Sequence, residues 1–291
     1  MFVLLSYSLS GQALAPYIIG TILPDQLEAV KKAIETNAGN GGLEIAGQYQ
    51  PAGDENRWVM VFTSNELKNA VRKIGGLEGF AAALRIGITR EGGQTVVSYT
   101  NPVYWGMAYY RDKYDMVAPE YDALAAKLRN VMQKTGPFNG TAFGSEKGIE
   151  ADKLKKYRYM MGMAQFDDTL ELGSFDSHAD AVNKVESSIR EGRPDLSLVY
   201  RIRIPEKEIV LYGFELSGEK GEGKFLPVID IAEPKHTAFL PYEVLVTGNE
   251  VHMLHGRFRI ALSFPDLTMG TFTKIMSTPP TIKRLLEQLV E

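Results

Sequence analysis

The sequence predicts an α+β protein of two tandem repeats. Each is a mostly antiparallel sheet covered by helices on one face, and the two pack as a pseudo-two-fold body. Two observations carry this reading. Both C-terminal ends follow one order of strand, turn, strand, proline, small-residue link and helix. Both halves also open with a hairpin, an amphipathic helix and two further strands, so matching signals return at a domain-sized period. Hairpins dominate the strand pairings and long helices are few, which favours antiparallel sheets over a doubly wound parallel one.

In the first half, Phe2–Tyr7 and Tyr17–Ile22 read as a hairpin. The helix over 24–35 opens on an acidic turn and sets Leu27, Val30 and Ile34 on one stripe. Strands are expected at 43–50, 58–63, 83–90 and 95–100, with Glu91-Gly92-Gly93 turning the last pair. Asn101-Pro102 and a link to Asp112 lead to a helix over 118–132. In the second half, 157–164 and 169–175 read as a hairpin. A helix over 177–191 buries Ala181, Val182, Val185 and Ile189 behind an Asp176 or Ser177 cap. Strands follow at 196–204, 208–216, 241–247 and 258–263, then a link through Met269 and Gly270 and a helix over 280–290. The repeats therefore span 1–135 and 157–291, and the Gly-, Pro- and Lys-bearing stretch 136–156 reads as their linker. A groove between the repeats is the default ligand site.

Composition narrows the function. The 291 residues are 44% hydrophobic and 23% charged, with a formal net charge of −4, so the chain can bury a core but lacks the basic excess of a general nucleic-acid binder. With no Cys, disulfides, thiolate metal sites and a cysteine nucleophile are excluded. No apolar run is long enough to span a bilayer. Met1–Tyr17 lacks the basic flank of a secretory signal, so a buried first strand and a cytoplasmic location are expected.

The run from Val71 through Phe80, Leu84-Arg-Ile-Gly-Ile-Thr-Arg90, Glu91-Gly92-Gly93 and Thr95–Thr100 to Asn101-Pro102 resembles the small α+β domains of domain-of-unknown-function family 302. The likeness covers roughly 17–132 and, more faintly, 170–290. It implies a fold and no established activity. Glu219–Phe239, rich in Pro and Gly, is expected to lack the helix found near 65–73 in the first repeat.

Nothing in the sequence matches a cofactor motif. Ser145 is not in a nucleophile elbow, and Gly218–Lys224 runs into Pro227 where a phosphate-binding loop needs a helix. His252 and His255 are the nearest histidine pair, but their spacing on a strand points them to opposite faces, so they read as solvated hairpin residues before they read as metal ligands. The densest segment is Asn101–Asp112. Tyr104, Trp105, Tyr109 and Tyr110 surround Gly106 and Met107, with Arg111 placed to pair a carboxylate. These residues, with Met269 and Gly270 from the second link, either line a ligand groove or fill the core between the repeats. Arg201 with Arg203, and Arg257 with Arg259, alternate along strands and would form an anion patch if those strands adjoin. Three function classes stay open: a non-catalytic small-molecule-binding or accessory protein, an enzyme acting on a small anionic substrate, and an assembly module, as monomer or homodimer.

Overall fold

The computed structural model describes residues 13–291. The expected strand at Phe2–Tyr7 lies outside them. The first repeat runs β1 (Ala13–Leu14), β2 (Tyr17–Pro24), α1 (Leu27–Asn40), β3 (Leu43–Tyr49), β4 (Arg57–Ser64), α2 (Asn65–Ile74), β5 (Leu84–Glu91), β6 (Gln94–Thr100), α3 (Pro102–Tyr110) and α4 (Ala118–Thr135). The connection holds β7 (Ala142–Phe143), β8 (Ile149–Glu150) and α5 (Ala151–Leu154). The second repeat runs β9 (Leu170–Ser174), α6 (His178–Glu191), β10 (Leu196–Ile204), β11 (Ile209–Leu216), α7 (Glu222–Ile229), β12 (Tyr242–Thr247), β13 (Glu250–Met253), α8 (Gly256–Ser263), α9 (Met269–Lys274) and α10 (Thr278–Glu287).

The two large sheets have one topology. The first is ordered β3-β4-β5-β6-β2-β7 and the second β10-β11-β12-β13-β9, all antiparallel. Element for element the orders coincide, with β7 an extra edge strand. The registers coincide as well. Arg85 faces Val61 on β4, and Glu243 faces Gly213 on β11 in the same rung. A bulge falls between Ile45 and Gly47 on β3 and between Leu198 and Tyr200 on β10. Another falls between Ile19 and Thr21 on β2, and its counterpart lies where β9 meets Val251 and His252. Bulges leave one residue out of the ladder and bend the strand, so shared bulges give the two sheets the same bends.

Helices cover the outer faces for the reason the stripes give. Leu27, Val30, Ile34 and Ala38 of α1 are buried, and α1 packs on α4 through that side of the first sheet. Ser64 caps α2 by accepting from Leu67 N, and Ser177 caps α6 by accepting from Asp180 N. The inner faces meet each other. The 3₁₀ turn at Gly76–Ala82 packs on β11 and β12, while its counterpart at Thr237–Phe239 packs on β4, β5 and β6. Such reciprocal packing is what a pseudo-two-fold requires.

Four expectations need correction. Residues 157–164 form no strand; β9 pairs with β13 instead, as β2 pairs with β6. Residues 258–263 are helix α8, because the Gly248 turn sends the chain straight back as the short β13. The link after Asn101 is helix α3, buried almost all round, so no periodicity betrays it. Glu219–Phe239 does contain a helix, α7, with Pro227 inside it; Gly223 and Pro227 lie on its exposed face, where a carbonyl left unbonded meets water. Within the segment 136–156, β7 joins the first sheet and β8 pairs with β1. Among the described residues, no helix is long and apolar enough to cross a membrane.

Candidate functional site

The middle of the seam is closed by α3. Pro102 starts it at a position where a missing N–H is harmless. Trp105 donates its indole N–H to Pro16 O at 2.9 Å, and Tyr104 donates its hydroxyl across the seam to Leu262 O at 2.8 Å. Tyr109 stands edge-on to Trp105 and stacks at 5.0 Å on Phe166. A Cβ on Gly106 would lie 2.7–2.8 Å from Tyr114 and Tyr121, so this glycine serves close packing. Tyr104, Trp105, Gly106, Met107 and Tyr109 are all buried and do not line the clefts in which Arg111 and His236 sit. The counterpart of α3 is α8, not the stretch around Met269 and Gly270. Those two lie on α9, where Met269 is exposed beside a small apolar hollow that Arg257 also lines.

Beside α3 lies a buried charge cluster. Glu243 accepts from Arg85 of the other repeat, from Tyr200, and from Arg259 at 3.1 Å. Arg259 also donates to Phe239 O and Pro241 O, both at 2.7 Å. Burial works against the guanidinium charge of Arg259, and Glu243 more than reverses this. The four arginines therefore form no anion patch. Arg201 and Arg203 share a face of β10 and both donate to Glu186 at 2.6 Å. Arg257 and Arg259 belong to a helix, with Arg257 exposed and Arg259 sealed in the seam.

At its two ends the seam opens into related clefts. The first, about 600 Å³, lies where α2 ends at Ile74 and α3 ends at Tyr110, against Phe166 and Asp167. Arg111 sits here with φ 54° and ψ −125°, a conformation side-chain-bearing residues seldom adopt. Its guanidinium pairs with Asp167 and reaches Gln165 Oε1 at 3.3 Å, while Lys113 pairs with Glu78 at 2.5 Å. The second cleft, about 580 Å³, lies where α7 ends at Ile229 and Phe264 follows the end of α8, against residues 142–146. His236 lines it. The ring stacks at 4.5 Å on Phe264, and Nδ1 donates to Ser263 O at 3.1 Å. The His236 N–H donates to Asp230 Oδ1, and Asp230 in turn pairs with Arg57 of the first repeat.

The remaining candidates do not converge. His252 bonds Thr169 and Glu250, and His255 caps α8 by accepting from Arg257 N. Among the described residues no group of three or more His, Asp or Glu could hold a metal ion. No motif in the sequence marks His236, which follows Pro234 and Lys235, or Glu222, which is buried under hydrogen bonds from Tyr49, Ala52 N and Leu216 N. Burial pushes the Glu222 carboxyl up to about 8, against those three donors. Only the cross-repeat placement of each residue would have revealed it.

No protein-family model and no curated protein matches the chain. Among solved structures, the chain is similar to the uncharacterised conserved protein DUF302 from Bacillus stearothermophilus, with 14% identity and a TM-score of 0.32. The match covers 39% of this chain and 97% of that one.

Proposed function

We propose that the chain is a non-catalytic small-molecule-binding protein that holds a small anionic ligand in the Arg111 cleft. One observation carries the reading. Arg111 keeps a strained backbone at the end of α3, whereas at the end of α8 neither Phe264 nor Pro265 has a positive φ. Ending this helix therefore does not require strain, and strain kept without a folding need points to a functional one. The cleft size suits a small organic molecule. Arg111, whose side chain is 27% exposed, can exchange Asp167 for a ligand carboxylate with bidentate geometry. Native mass spectrometry of the purified chain is expected to find a co-purified anion, and Arg111→Ala to lose it. A ligand retained by the variant would remove the cleft from consideration.

The reading extends to origin and setting. We infer that the repeats, 1–135 and 157–291 joined by 136–156, descend from one duplicated unit; the common strand order, register and bulges support this. A monomer or homodimer in the cytoplasm is the accompanying proposal.

A further inference from the structure

The second cleft sits in the place equivalent to the first but has opposite chemistry. Its ionisable rim is Glu146, Glu233 and Asp266; among the described residues it has no lysine or arginine. In the first cleft each cation is matched with a carboxylate, but these three carboxylates have no basic partner among the described residues. Asp266 accepts from Ser145 Oγ at 3.1 Å and from Glu146 N at 2.7 Å, which tethers residues 145–146 to the second repeat. A carboxylate rim alone would be no more than a solvated surface.

His236 supplies the second observation. It is 9% exposed, and its ring is held by Phe264 on one side and Tyr17, 4.9 Å away, on another. A carbonyl oxygen can only accept, so the contact with Ser263 O fixes the proton on Nδ1. That leaves Nε2 as an acceptor, and no described residue bonds it. Burial lowers the imidazole pKa below its usual value, against the nearby Asp230 and Asp266, and so favours the neutral ring. Nε2 is not sealed from solvent, and His236 lines the cleft, so a donor bound there can take the place of water on this nitrogen.

We propose that this cleft binds a small organic cation, an amine with an apolar body, whose ammonium donates to His236 Nε2 under the field of Glu146, Glu233 and Asp266 while its body lies against Phe264 and Ile229. The apolar wall selects against inorganic cations, and the carboxylates repel the anions that suit the Arg111 cleft. The two clefts thus take ligands of opposite charge.

Benzylamine is the probe, with benzyl alcohol and benzoate as controls of matched shape, followed by NMR of the histidine imidazole signals in the full chain. Benzylamine is expected to shift the His236 signals saturably, benzyl alcohol to do so more weakly and benzoate to leave them unmoved. His236→Phe, which keeps the aromatic stack, should weaken benzylamine by at least about tenfold, the worth of a hydrogen bond to a charged group. Glu233→Gln, an exposed change that leaves the core untouched, should weaken it about twofold to fivefold through lost field alone. Benzoate binding as well as benzylamine, His236 signals that do not respond, or full affinity in both variants would each overturn the proposal.

Discussion

Glu222 shows what one residue can do to the pH response of the whole chain. Its folded carboxyl is raised to about 8 by burial, far above its value in an unfolded chain, so folding takes up a proton at intermediate pH. The stability it contributes is complete below about pH 4.3 and is lost as pH rises through about 8. The denaturation midpoint should therefore fall between pH 5 and 8, and Glu222→Gln should flatten that slope; an unchanged slope would mean the carboxylate is ionised when folded. Arg111 gives a second prediction at this scale. Arg111→Gly and Arg111→Ala both remove the guanidinium and differ only in the Cβ that opposes a φ of 54°. The glycine variant should be more stable by about 1 kcal/mol in urea denaturation.

The elements were legible where a physical period or a turn residue marked them. The stripe of Leu27, Val30 and Ile34 gave α1, and Gly92-Gly93 gave the β5–β6 hairpin. What could not be read was any element buried on every side. Helix α3 shows Tyr104, Trp105, Met107, Tyr109 and Tyr110 to no solvent, so it has no polar face to set a period. In α8 the alternation of Arg257, Phe258, Arg259 and Ile260 imitates a strand, and the cause is a buried ion pair that local pattern cannot encode. The clefts were hidden likewise: Arg111 was legible as a candidate, but His236 gains meaning only from Phe264 and Ser263, far along the chain. Packing makes a further claim about α3. Gly106→Ala drives a methyl into Tyr114 and Tyr121, and a loss of about 1–3 kcal/mol is expected from thermal or urea unfolding.

Across the whole molecule the seam ties the repeats together. Arg57 with Asp230, Tyr49 with Glu222, Arg85 with Glu243 and Tyr104 with Leu262 O all cross it. The repeats should unfold together, giving one calorimetric transition whose measured and van't Hoff enthalpies agree. Two separated transitions would show that the seam is weaker than its burial indicates. Glu243→Leu leaves two sealed guanidinium groups without a counter-charge and should cost about 3–5 kcal/mol. Replacing Arg85 and Arg259 by Met in the same variant should restore most of that loss.

Arg85 and Glu243 occupy the same rung of their respective sheets, and they touch. In an assembly of two identical halves, a residue meeting its own mate at the axis must find itself there, arginine on arginine or glutamate on glutamate. Opposite signs at such a spot require the two halves to differ. Neither half of this protein, made twice over, could rebuild the centre that the joined chain contains.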